Sequence, residues 1–278
     1  MGKGIVPWDC PWRLGVVGIP QHDYIIDAFD QADLVIGVGY DLIECAPKKW
    51  HTHKMKIVNI SGLPAAVNQL GQRLREDFEQ LSSSDAYPMK PARILADVRS
   101  VLGRSDILVS DVGAHKIWIG RDYPCYEPRT CLISNGFASM GFSVPGAIAA
   151  KLVHPERRVL AVTGDGGFMM NSQELETAVR EGVPIVVLIW EDEHYGLIRW
   201  KEEEQFGDTF GVSFSNPDFK AYAEAMHCHG YEVSAADELV PTLEDAFSHD
   251  DAPSVVVVRV DYSENMALTR RLREEYGA

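Results

Sequence analysis

Four short apolar runs, Ile107 to Ser110, Val159 to Thr163, Ile185 to Trp190 and Val255 to Val260, are separated by stretches of helical period. Runs of this length suit strands buried on both faces, and strands that alternate with helices build a parallel sheet covered by helices. The pattern predicts an α/β fold. Open parallel sheets bind ligands outside the carboxyl ends of their strands. The chemistry is therefore to be sought just after Ser110, Thr163 and Trp190.

The charge balance narrows what such a site can meet. With 41 acidic against 26 basic residues the formal net charge is −15, a field that repels nucleic acid and anionic membranes. Neither is expected as a partner. An anionic ligand would have to be drawn in locally, by a metal ion or by backbone N–H groups. The apolar runs fall far short of the roughly 20 residues that a membrane-spanning helix needs. Met1-Gly-Lys-Gly-Ile-Val-Pro-Trp8 lacks the charged, apolar and small-residue order of a signal peptide, so a cytoplasmic location is expected. Five cysteines, Cys10, Cys45, Cys125, Cys131 and Cys228, form no CxxC pair and read as reduced thiols. His227-Cys-His229 has no second ligand cluster nearby in sequence and reads as structural.

At 278 residues, 46% of them hydrophobic, the chain can bury one large core or two modest ones. Ser82-Ser-Ser-Asp-Ala-Tyr-Pro-Met-Lys-Pro91 interrupts the periodicity and marks a boundary. The expected division is residues 1–85, residues 86–265 and a tail, 266–278. The first part carries strand-like runs at Leu34 to Gly39 and Lys56 to Ile60 and a helical pattern from Ala65 to Leu81. That is short for an independent domain.

The main constellation follows the second apolar run. Val159-Leu-Ala-Val-Thr163 leads into Gly164-Asp-Gly-Gly167, then Phe168-Met-Met and Asn171-Ser-Gln-Glu174, which has the form of a capping box opening a helix. Gly166 and Gly167 leave the backbone open to an anion, and a helix N-terminus offers N–H donors and a favourable dipole. Diphosphate suits this turn, with Asp165 holding a bridging divalent cation. Gly-Asp-Gly alone also populates ordinary turns. The third run strengthens the reading, because it ends in Glu191-Asp-Glu-His-Tyr-Gly196 and sets a second oxygen ligand, Asp192, at the same sheet edge 27 positions on. Glu191 and Glu193 beside it read as solvated or structural.

A strand, Gly-Asp-Gly, a helix and a second strand ending in an oxygen ligand resemble the thiamine diphosphate motif of acetolactate synthases and related decarboxylases. The resemblance implies Mg²⁺ held by Asp165, Asp192 and the carbonyl of His194. An Asp at 192 departs from the family's usual Asn and adds a negative charge. Asp111-Val-Gly-Ala-His-Lys-Ile-Trp118 is similar to the family's Val-Gly-Gln-His segment. It implies that Gly113, Ala114 and His115 lie near the diphosphate, with Ala114 in place of a Gln. Ser134-Asn-Gly-Phe-Ala-Ser-Met-Gly-Phe-Ser-Val-Pro145 resembles the segment under the aminopyrimidine, with Met140 as support and the Ala138 carbonyl as acceptor. By the same resemblance Gly164, Gly166, Gly167, Gly196 and Leu197 border the cofactor, and Leu197 and Trp200 in Tyr195-Gly-Leu-Ile-Arg-Trp-Lys201 are substrate-side candidates. Without it, His115 reads as a loop histidine and Met140 as core packing.

The resemblance covers nearly the whole chain. It implies a thiamine diphosphate-binding fold over residues 86–265 and a partial, Rossmann-like middle domain over residues 1–85. No flavin is expected, since Lys56-Ile-Val-Asn-Ile-Ser-Gly62 lacks the acidic residues that follow that strand in flavin-binding relatives. The family's catalytic glutamate belongs to a pyrimidine-binding domain that has no counterpart in this sequence. The leading expectation is therefore a split enzyme with Met1 as a true start, inactive alone. A second subunit would bring the pyrimidine domain and the glutamate in a hetero-oligomer. The implied reaction is decarboxylation of a 2-oxo acid such as pyruvate and ligation of the resulting enamine to an acceptor. Alternatives are decarboxylation without ligation, a noncatalytic scaffold subunit that keeps the pocket, and an excised piece of a longer enzyme.

Overall fold

The computed structural model describes residues 6–11, 32, 72 and 75–266. The strand-like runs at Leu34 to Gly39 and Lys56 to Ile60, most of the Ala65 to Leu81 pattern and nearly all of the tail lie outside them. Residues 75–82 are helical.

Six strands form one wholly parallel sheet: β1 (Ile107–Ser110), β2 (Cys131–Ile133), β3 (Val159–Gly164), β4 (Val186–Glu191), β5 (His229–Val233) and β6 (Ser254–Arg259). Beyond the helical residues 75–82, eight α-helices connect or flank them: α1 (Pro91–Val101), α2 (Ala114–Asp122), α3 (Ser143–Val153), α4 (Asp165–Asn171), α5 (Glu174–Arg180), α6 (Gly196–Phe206), α7 (Phe219–Ala225) and α8 (Leu239–Ala246). The α/β architecture read from the sequence is the one observed.

Side-chain period two sorts each apolar run between the sheet's two faces. Leu108, Leu160, Val162, Leu188, Trp190 and Val256 enter one core, against Ile94, Leu95 and Val98 of α1, Ile119 of α2 and Leu243 of α8. Val109, Ala161, Val187, Ile189 and Val255 enter the other, against Ala147 of α3, Phe168 of α4, Leu175 of α5 and Phe219 of α7. Burial on both faces explains why the four runs read as continuously apolar.

Local chemistry sets several helix ends. Pro91 opens α1 where its missing N–H does no harm. The Asp218 carboxylate caps α7 by accepting from Ala221 N, and Gly207, at φ +72°, closes α6 in the left-handed region.

Two expectations need correction. β2 and β5 were not among the apolar runs; both are the outer strands of the order β2-β1-β3-β4-β6-β5, where a short or half-polar strand such as His229-Gly-Tyr-Glu-Val233 suffices. The capping box at Asn171 to Glu174 does not form. One helix, α4, already begins at Asp165, and α5 opens at Glu174 without a side-chain cap, because the Asn171 amide donates to Gly141 O at 2.8 Å and the Ser172 hydroxyl pairs with that of Tyr222.

The strand order fixes where a ligand can sit. From β1 the chain moves outward to β2, then returns across β1 to β3. The crevice at the carboxyl ends of β1 and β3 is thus a topological switch point, the place where such sheets bind ligands. Register aligns the ends, with Ser110 beside Val162 and Gly164 beside Trp190.

Candidate cofactor and metal site

Asp165 is the first residue beyond β3 and is buried. Its Oδ1 accepts from Gly166 N at 2.8 Å. Its Oδ2 accepts from the backbone N–H groups of Asp192 and Glu193, at 3.1 and 2.7 Å, and from Asn216 Nδ2 at 2.9 Å. These donors fix the carboxylate and screen its charge in a site away from water. Asp192 stands next to it at the end of β4. Burial first, and the Asp165 charge second, push Asp192 up to about 7. Two crowded carboxylates of this kind are a cation site in electrostatic terms. Between Asp192 and His194 the chain passes through Glu193 at φ +57°, a conformation rare for a side-chain-bearing residue and frequent at functional sites.

One cavity of about 230 Å³ opens over these groups. Gly113, Ala114 and His115 reach it from the end of β1 and the start of α2. Gly164, Asp165, Gly166 and Gly167 reach it from β3 and α4. Asp192, His194, Gly196 and Leu197 reach it from β4 and α6, and Ala138 and Met140 from the segment after β2. Ala138 has φ +49°. The structure thus brings together every expected cofactor and metal residue. It separates Trp200, which is buried and lines a second cavity of about 620 Å³ with Arg199, Glu203 and Arg259. Three positions along α6 from Leu197 displace it by about 4.5 Å along the axis and ~60° around it. It does not line the cavity that Leu197 lines.

The residues fit an anion bridged to a metal. The starts of α2, α4 and α6 all border the cavity, and the first N–H groups of a helix have no partner within it. Their donors would repel no anion, yet the two carboxylates would, so a divalent cation between them reconciles the set. His115 adds an unpartnered polar atom: it is buried and its Nε2 has no hydrogen-bond partner. Burial pulls its pKa down to about 4, so at neutral pH it is an uncharged ring able to give or take one hydrogen bond. Close approach is enforced as well. A Cβ on Gly196 would lie 2.7 Å from Asp192 Oδ2, and one on Gly113 would lie 2.7 Å from the His115 ring.

The C-terminal thiamine pyrophosphate-binding domain of thiamine pyrophosphate enzymes matches residues 111–258, and the central domain of those enzymes matches residues 1–76. The chain belongs to the thiamine pyrophosphate enzyme family. Among curated relatives, the acetolactate synthase of Bacillus subtilis (strain 168) is 31% identical over 95% of this chain and 53% of that protein. The catabolic acetolactate synthase of Raoultella terrigena is 34% identical over 98% of this chain and 56% of that protein. The isozyme 2 large subunit of Escherichia coli (strain K12) acetolactate synthase is 27% identical over 95% and 54%. The chain spans about half the length of these curated relatives. No helix among the described residues is long and apolar enough to cross a membrane.

Three residues beside this cavity carry no role in the sequence analysis. Asp111, buried at the end of β1, accepts from Gly141 N at 2.9 Å and from Ser143 N and Oγ at 3.2 and 3.0 Å. It ties the 138–143 segment to the sheet. The signal was available, since Asp111 follows β1 as Asp165 follows β3. Asn216 comes from a stretch without periodicity and left no signal. Tyr262 lines both cavities, and burial, with the charges of Asp192 and Asp165, raises its pKa well above normal.

Proposed function

We propose that this chain is the diphosphate- and Mg²⁺-holding half of an acetolactate synthase-like active site, acting on a 2-oxo acid such as pyruvate and joining the product fragment to an acceptor. The observation that carries the reading is the pairing of Asp165 and Asp192 beneath the converging helix starts. Asp165, Asp192 and the carbonyl of His194 would hold the metal. The N–H groups at Gly167 and at Gly196 and Leu197 would hold the diphosphate, with His115 Nε2 as a further contact and Gly166 leaving the backbone open beside them. Ala138 and Met140 would seat the pyrimidine side, and Leu197 would face substrate.

Bound thiamine diphosphate would supply an electron sink for the carbon–carbon bond steps. The chain's part is to fix the cofactor through its diphosphate and exclude water from the cavity. The other half of the site, the pyrimidine-binding domain with its glutamate, would come from a second polypeptide. In support, Ile198, which lines the cavity, is about half exposed, and Phe137, next to the cavity-lining Ala138, is almost fully exposed. Large apolar side chains left open to water suit a surface that another polypeptide covers.

The test is turnover of pyruvate with thiamine diphosphate and Mg²⁺, with and without a pyrimidine-domain polypeptide. The chain alone should release no CO₂, and the pair should release CO₂ and form a ligated product. Ligation by the chain alone would overturn the two-polypeptide reading.

A further inference from the structure

The end of the sheet opposite the cofactor cavity carries a second cluster. β5 begins at His229, whose N–H donates to Pro253 O at 2.9 Å and which stands in register with Ser254 at the start of β6. This pairing lays the loop between α8 and β6 over His229 and delivers His249 and Asp251 to it. His229 Nε2 lies 3.0 Å from Asp251 Oδ1, and His249 Nδ1 lies 3.7 Å from the same oxygen. All three candidate donor atoms fall within 4.8 Å of one another. The structural role expected for His229 rested on the lack of a second ligand group nearby in sequence. The fold supplies one from 22 positions away.

The geometry points to a binding site for a divalent cation of the zinc class, with His229 Nε2, His249 Nδ1 and Asp251 Oδ1 as ligands and a fourth position open to water. Donors about 2.0–2.1 Å from a tetrahedral zinc stand roughly 3.3–3.4 Å from each other, and the two spacings to Asp251 Oδ1, 3.0 and 3.7 Å, bracket that value. The two imidazole rings are stacked, with centroids 3.8 Å apart and planes 19° apart. A shared ion requires each ring to turn about its Cβ–Cγ bond, a torsion with broad wells.

A further contact on the far side of His249 supports the assignment. Its other ring nitrogen, Nε2, faces Asp245 Oδ2 at 3.9 Å. The Tyr231 hydroxyl donates to that same oxygen at 2.8 Å and holds it in place. Metal-bound histidines ordinarily present their second nitrogen to a carboxylate, which orients the ring. His229 and His249 are part-exposed and Asp251 is exposed, so an ion enters without opening the core. Imidazole nitrogen selects Zn²⁺, Co²⁺, Ni²⁺ or Cu²⁺ over Mg²⁺, so this site is chemically distinct from the Asp165 and Asp192 pair. Its occupant would pin the loop before β6 to the edge strand β5.

The experiment is a calorimetric titration of the full chain with Zn²⁺, after chelation and in excess Mg²⁺, alongside the visible spectrum of the Co²⁺-loaded protein. The wild-type chain should bind one equivalent with a rise in Tm, and so should Asp165→Ala. His249→Ala and Asp251→Asn, both loop substitutions, should lose saturable binding and the Co²⁺ bands while keeping the metal-free Tm. Asp245→Asn should weaken binding by about tenfold or more. No saturable binding by the wild-type chain, or undiminished binding by His249→Ala and Asp251→Asn, would overturn the proposal.

Discussion

Asn216 Nδ2 donates to Asp165 Oδ2 at 2.9 Å across 51 positions of sequence. The same amide reaches Glu191 Oε1 at 3.2 Å, so one side chain ties the loop before α7 to the ends of β3 and β4. Outer contacts of this kind orient a metal ligand, and their loss typically lowers metal affinity by about 10–100-fold. Asn216→Ala should weaken Mg²⁺-dependent binding of thiamine diphosphate by that factor, read by calorimetry. Unchanged affinity would show that Asp165 is held well enough by the backbone alone.

Asp192 gives the metal-free protein a pH dependence. Its folded pKa, raised to about 7 from 3.8 by burial and then by Asp165, means that the folded chain binds a proton which the unfolded chain releases between those values. Stability then falls as pH rises from about 4 to about 7 and levels off above. In chelator, Asp192→Asn should be more thermostable than the parent at pH 8, with the gap closing towards pH 4. A gap independent of pH would contradict the assignment. The amide oxygen remains a ligand for a hard cation, so the variant should retain cofactor binding.

The four central strands could be read from the sequence because each is buried on both faces and leaves an unbroken apolar run. β2 and β5, each covered on one edge only, gave no such run. The pairing of two carboxylates was legible for a related reason: Asp165 and Asp192 sit at strand ends, and strand ends can be located from periodicity. Asn216 was not, because its place depends on the path of an irregular segment through space. That Trp200 lines a different cavity from Leu197 was not legible, because spacing along one helix does not say which neighbours pack around it. The cluster of His229, His249 and Asp251 depends on strand pairing, which local sequence does not encode.

Gly196 allows α6 to start against Asp192. With a Cβ there only 2.7 Å from Asp192 Oδ2, Gly196→Ala should displace the carboxylate and weaken cofactor binding several-fold or more. The fold should be retained, since alanine favours the helix. Circular dichroism and a binding titration together check both halves of this expectation.

Asp111 is a structural anchor of the site. Asp111→Ala would leave the buried N–H groups of Gly141 and Ser143 without their acceptor, a loss on the order of 2–3 kcal/mol. The denaturation midpoint should fall accordingly, and cofactor binding should weaken with it because Ala138 and Met140 ride on the released segment. A midpoint within error of the parent would mean that water replaces the carboxylate.

The central claim is that Asp165 and Asp192 hold a divalent cation that bridges a diphosphate. Titration of the chain with thiamine diphosphate, with and without Mg²⁺, for the parent and for Asp165→Ala tests it most directly. The account predicts saturable binding by the parent only when Mg²⁺ is present, and none by Asp165→Ala under either condition. Equal binding by the two proteins, or binding by the parent indifferent to Mg²⁺, would contradict it.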